Sequence, residues 1–131
     1  FQNLGSYVKT DRKHLSAPVL EALERASSIT RAEYNAAIKV RDEAIEFFEN
    51  LFLEFDAIIT PAALGEAPLL SEQTTGNPVC CTIWSLIGVP CITLPVLSGA
   101  HGLPIGVQLV GKYADDEHLI ETSNWFLDIL G

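Results

Sequence analysis

Apolar positions along the chain follow two different rhythms. Tyr34, Ile38, Ile45, Phe48, Phe52 and Phe55 recur at spacings of three, four and seven. That is one stripe at helical period, so the spacing predicts a long amphipathic helix. Lys39, Asp42, Glu46, Glu49 and Asn50 fall on the opposite face. Arg41 lies within the stripe; its stem can pack there while its head reaches water or a carboxylate. Thr30-Arg31-Ala32-Glu33 fits a capping box, in which the Thr30 hydroxyl accepts from the Glu33 amide and the Glu33 carboxylate accepts from the Thr30 amide. A shorter helix precedes it, with Ser16 as N-cap, Pro18 in the first turn, Val19, Leu20 and Leu23 as its apolar face, and an end near Ser27-Ser28. Residues 1–15 show no clear period.

The rhythm changes at Asp56. Asp56-Ala57-Ile58-Ile59-Thr60-Pro61 is a short apolar run closed by proline and reads as a buried strand. A loop from Ala62 to Pro78 follows, long enough to be a candidate for function. Val79 to Ile87 reads as a short helix stopped by Gly88-Val89-Pro90. Cys91 to Val96 reads as a second strand, Ser98 to Gly102 as a turn, and Pro104 to Val110 as a third strand. The last two are close enough in sequence to pair antiparallel. Asp115-Asp116-Glu117 opens a final helix with Leu119, Ser123, Phe126 and Leu130 on one face. Helices and strands alternate, and the strands are apolar at successive positions. The expected class is α/β, with a sheet covered on both sides. No repeat or linker divides residues 1–131, which read as a single domain or a fragment of one.

Composition narrows the partners. Hydrophobic residues make up 48% of 131, yet no apolar run approaches the roughly 18 residues that span a bilayer. The net charge is −9, and beyond Thr60 the only Lys or Arg is Lys112, against seven Asp and Glu. Such a surface repels phosphate backbones and anionic headgroups, so neither nucleic acid nor membrane is an expected partner. Cys80, Cys81 and Cys91 are odd in number and two are adjacent, a poor geometry for a disulfide. They read as reduced, largely buried thiols of a cytosolic protein. A chain that opens on Phe1 reads as an excised piece.

The usual catalytic patterns do not occur: no G-x-S-x-G, HExxH, Walker loop or GxGxxG is present. His14, His101 and His118 sit in a tail, a turn and a helix start, where solvated histidines are the ordinary reading. No cysteine or acidic cluster has metal-ligand spacing, and no base stands beside Cys80 or Cys81 to support a thiol enzyme.

One ordered set of motifs is specific. Asp56 and Thr60-Pro61 are followed by Ala67-Pro68, Thr75-Gly76, Trp84-Ser85-Leu86, Gly88, Pro90, Leu94-Pro95 and the run Gly102 to Gly111. Over about residues 16–131 the chain resembles the amidase-signature family. The resemblance implies the C-terminal part of an α/β/α fold with a mixed sheet and flanking helices. It also implies a parent enzyme that splits carboxamides without a metal or cofactor. Such enzymes use a serine nucleophile, a cis-configured serine and a lysine base, set in a Gly/Ser-rich stretch and upstream of it. This sequence has no such stretch, and Lys39 and Lys112 lie in other contexts, so no catalytic residue is assigned.

What remains is one wall of a substrate pocket. Cys81, Trp84 and Ser85 share a helical neighbourhood at i, i+3 and i+4, and Thr75 lies in the loop before them. These four are the expected substrate-binding residues. The competing reading puts Trp84 and Cys81 in the core and makes Ser85 a helix serine bonded back to the backbone. The expected partners are a small-molecule amide in the complete enzyme, the missing N-terminal half, and a second copy, because an uncovered apolar sheet edge favours a homo-oligomer. The other function class that fits is a free-standing, non-catalytic α/β binding or assembly module.

Overall fold

The computed structural model describes residue 10 and residues 12–130. The chain forms two compact units, dividing after Val40. In the first, a 3-10 turn at Arg12–His14 precedes helix α1, Ala17–Ser27. Ser16 stands at the N-cap of α1 as expected, but it serves through its backbone: its carbonyl accepts from the Leu20 amide, and its hydroxyl makes no cap bond. Leu23 is the buried residue of α1. Helix α2 spans Arg31–Leu51, so the division falls inside it. Its capping box is formed in full. The Glu33 carboxylate accepts from the Thr30 amide and hydroxyl, each at 2.8 Å, and the Glu33 amide donates to the Thr30 hydroxyl at 3.2 Å.

The second unit carries the sheet. Strand β1 is Ile58–Pro61, β2 is Cys91–Ser98 and β3 is Pro104–Val110. The order is β1-β3-β2, with β3 antiparallel to both neighbours. Val110 faces Ile58 on one side and Cys91 on the other. The three described strands therefore contain no parallel pair. A tight turn joins β2 to β3, which enforces their antiparallel sense, and β1 takes the free edge of β3. Helix α3, Val79–Ile87, and helix α4, Asp116–Leu130, complete the unit.

Its core has two parts. Phe52, Trp84, Ile87 and Val110 form one, with Ala44, Ile45, Phe48, Ile58 and Val89 packed around them. The second half of the α2 stripe thus meets the inner face of α3, and the Phe48 and Trp84 rings lie edge to face at 5.2 Å. Leu94, Leu109 and Leu119 form the other part, with Ala57, Ile92, Val96 and Phe126 around them. The guanidinium of Arg41, inside the stripe, meets the Asp42 carboxylate at 2.7 Å.

The expectation of strands buried on both faces holds in β3, where Gln108, Leu109 and Val110 are buried in succession, and is corrected by the alternation in β2. Ile92, Leu94 and Val96 turn inward, whereas Cys91, Thr93 and Pro95 are exposed. At β3 the sheet is covered on both faces, by α3 against Val110 and by α4 against Leu109, whereas the face of β2 that carries Cys91 and Thr93 is left open. Cys80 is half-buried, and Cys81 and Cys91 are exposed. All three cysteines are free.

Candidate functional site: the loop from β1 to α3 and its helix

The loop between β1 and α3 is held at both ends and in its middle. At its start, the Ala62 amide donates to the Gly106 carbonyl at 3.0 Å, and the Ala62 carbonyl faces the Cys81 thiol at 3.6 Å. At its end, the Gly76 amide donates to the Thr74 hydroxyl at 3.1 Å, and the Val79 amide donates to the Asn77 side-chain oxygen at 3.0 Å. Asn77 thereby satisfies one of the first free amides of α3. Pro78 receives the amides of Cys81 and Thr82 on its carbonyl.

Beneath the start of α3 lies a buried polar junction. Gln108, 3% exposed in the centre of β3, donates through its amide nitrogen to the Thr60 hydroxyl at 3.2 Å and to the Cys80 carbonyl at 3.3 Å. Its oxygen faces the Cys81 thiol at 3.9 Å. One side chain therefore ties β3 to β1 and to the first turn of α3. A buried amide on one strand with partners on two other elements fixes their relative placement, since leaving any of its polar atoms unmet is costly.

The four expected substrate residues divide in two. Thr75, Cys81 and Ser85 are exposed, on the loop and on α3. Trp84 is 8% exposed and belongs to the core beneath them. In α3 the hydroxyl that bonds back onto the helix is that of Thr82, to the Pro78 carbonyl at 2.8 Å. The Cys91 thiol is pushed above the ordinary thiol pKa, first by burial and then by the charge of a Cys81 thiolate nearby. That is the opposite of the depression that makes a reactive nucleophile.

Two histidines read as solvated are each held by a carboxylate. His101 Nδ1 lies 2.6 Å from Glu66 Oε2, and His118 Nε2 lies 3.2 Å from Asp56 Oδ1. Glu66 was not among the residues singled out by sequence. Its only local signal is a carboxylate standing between Gly65 and Ala67-Pro68 in a loop otherwise poor in charge. The Asp56–His118 pair borders an open groove of about 550 Å³ floored by Phe55, Ile59, Leu109, Trp125 and Phe126.

A protein-family model described as Amidase matches residues 4–120. A glutamyl-tRNA(Gln) amidotransferase component, the mitochondrial one of Anopheles gambiae, is 30% identical over 100 residues, 70% of this chain and 20% of that protein. The corresponding protein of Rickettsia bellii is 33% identical over 105 residues, 76% of this chain and 21% of that protein. The chain thus spans about a fifth of the length of these relatives. Among solved structures, a crystal structure of an amidase matches with a TM-score of 0.81 at 26% identity, covering 98% of this chain and 32% of that one. The structure of 6-aminohexanoate cyclic dimer hydrolase complexed with substrate shares the fold, with a TM-score of 0.64 at 21% identity over 81% of this chain and 27% of that one. The motifs between Asp56 and Gly111, the fold and the extent of the family match agree: this chain belongs to the amidase family, as a portion of its amidase-signature domain.

Proposed function

We propose that the chain is the C-terminal portion of an amidase-signature amidohydrolase, which converts a carboxamide and water into a carboxylate plus ammonia or an amine. In this reading it completes the sheet and supplies one wall of the substrate pocket. The serine nucleophile, the cis-configured serine and the lysine base belong to the remainder of the enzyme. Amidotransferase components and a hydrolase both occur among the similar proteins, so the assignment is made at the level of the carboxamide C–N bond.

The observation that carries the reading is the Gln108 junction. It fixes the first turn of α3 against β1 and β3, and the loop and α3 then carry Thr75, Cys81 and Ser85 at exposed positions, with the Cys81 thiol turned toward the junction. Trp84 works from below, holding α3 to the core. A rigid element that displays small polar groups is what a substrate wall requires. The groove at Phe55, Ile59 and Trp125 fits a surface that the rest of the fold covers, and left bare it favours self-association.

The test has two arms. The chain alone is assayed for ammonia release from simple carboxamides; the expected result is none, because acyl transfer needs a nucleophile and an oxyanion site. The chain is then substituted for the matching segment of a structurally characterised amidase, where carboxamide turnover is expected to persist. Turnover by the purified chain alone, or a folded but inert chimera, would overturn the proposal.

A further inference from the structure

The long loop is pinned in its middle by a single carboxylate. Glu66 Oε1 accepts from the amides of His101 at 2.9 Å and Leu103 at 3.0 Å, and Glu66 Oε2 meets the His101 ring. These partners are 35 and 37 residues away in sequence. They belong to the turn between β2 and β3, where the Gly102 amide donates to the Gly99 carbonyl at 3.1 Å and the Gly99 amide donates to the Leu103 carbonyl at 2.9 Å. That turn uses Gly102 at φ +78, a conformation that suits glycine. It leaves the His101 and Leu103 amides pointing out of the hairpin, and Glu66 takes both. The side chain of Glu66 is 13% exposed, although the His101 ring that meets it is 84% exposed, so the carboxylate is sheltered mainly by the turn it grips. Gly99 supplies the room, since a Cβ there would overlap the Glu66 side chain.

The geometry points to Glu66 as a positioning residue. It latches the β1–α3 loop onto the β2–β3 turn and so fixes the stretch that carries Thr75 to the start of α3. The functional half of this inference rests on the reading of that loop as substrate-facing; the latch itself does not. A lowered Glu66 pKa, caused first by the His101 side chain and then by the two amides, agrees with a carboxylate held in its charged form by its partners.

Hydrogen exchange on the full chain tests the latch, with α4 around Leu119 as the internal reference. Glu66→Ala is expected to raise exchange roughly tenfold at the His101 and Leu103 amides and across the loop, and to leave Leu119 unchanged. Glu66→Gln keeps an oxygen for both amides and is expected to retain most of the protection, a rescue that simple loss of volume does not predict. Gly99→Ala, which displaces the carboxylate without removing it, should reproduce the Glu66→Ala pattern. Unchanged exchange at the two amides in Glu66→Ala would overturn the latch. So would a loss of protection in both Glu66→Ala and Gly99→Ala that includes Leu119, because a latch acts locally. In the active chimera, Glu66→Ala should raise KM by about fivefold and leave kcat within about twofold; an unchanged KM would overturn the positioning role. A chimera inert with Glu66 in place counts against the proposed function, and the exchange result then still decides the latch.

Discussion

The two tryptophans mark two sides of the second unit that obey different rules. Trp84 is enclosed by Phe48, Phe52 and Ile87, and the space beside that cluster amounts to about 10 Å³. Trp125 is 61% exposed on α4 and borders a groove of about 550 Å³. Both residues stand on helices with a clear apolar face, and both look like core by composition. The difference is that α2 supplies the partner for α3 within this chain, whereas the outer half of the α4 face has none among the described residues. Burial is thus a property of the pair of surfaces, not of the residue. A chain spanning about a fifth of its relatives' length has one side finished and one side open.

The sharpest way to break the comparison is to empty the closed side. Trp84→Ala removes the largest ring in a well-packed cluster, with an edge-to-face partner at 5.2 Å. The expected loss is about 3–5 kcal/mol, which lowers the melting temperature by about 6 °C or more, at roughly 2–8 °C per kcal/mol. Chemical denaturation of the purified variant measures it. A loss below about 1 kcal/mol would mean that the closed side is no better packed than the open one.

Gln108 offers a smaller break on the same side. Gln108→Ala deletes the bonds to the Thr60 hydroxyl and the Cys80 carbonyl and leaves a small void next to Cys81. Both former partners can find other bonds, Thr60 by rotating its hydroxyl and Cys80 within its helix. The expected cost is therefore about 1–2 kcal/mol, with the first turn of α3 losing more exchange protection than β3. Equal loss in both would show that Gln108 fills space rather than ties elements together.

Acid probes the loop. Glu66 has a folded pKa below its ordinary value of 4.5, so the unfolded chain binds its proton first as pH falls. Its contribution is therefore complete above pH 4.5 and disappears as pH drops through the lower, folded value. After correction for intrinsic rates, the His101 and Leu103 amides should lose protection in that window while Leu109, 1% exposed in β3, keeps it. Constant protection at the two amides down to pH 2 would show that the carboxylate does not hold them.

Much of this architecture was legible locally. The capping box at Thr30 and Glu33 formed as read, and α3 and β3 begin and end at the expected residues, because a cap, a Gly-x-Pro stop and a proline-opened strand are short-range signals. The site was legible only in part. The loop and helix carrying Thr75, Cys81 and Ser85 stood out, but the Glu66 latch did not, since its partners lie 35 residues away and no periodicity encodes a carboxylate meeting a distant turn. The exposed faces of β2 and α4 escaped for a related reason. Cys91-Ile92-Thr93-Leu94 and the Trp125 face are apolar enough to be covered, and local pattern does not say whether the cover lies in the same chain.

Trp125 gives the smallest effect on stability and the most direct reading of the open side. Its ring is mostly in water already, so Trp125→Ser removes little burial and should change the unfolding free energy by no more than about 0.5 kcal/mol. Association should respond more. The bare groove presents Phe55, Ile59 and Trp125 together, and apolar contact between copies gains from each ring removed from water. The charge of −9 per chain opposes that contact, yet salt screens it beyond about 8–10 Å. Sedimentation at micromolar concentration and moderate salt should therefore find the unaltered chain self-associated and the Trp125→Ser chain shifted toward monomer, at nearly the same melting temperature. Identical sedimentation of the two would place the contact elsewhere, with the unpaired edges of β1 and β2 next in line. A monomer in both cases that fails to bind a hydrophobic dye would show that the chain closes this face itself, and the contrast between the two tryptophans would then lose its meaning.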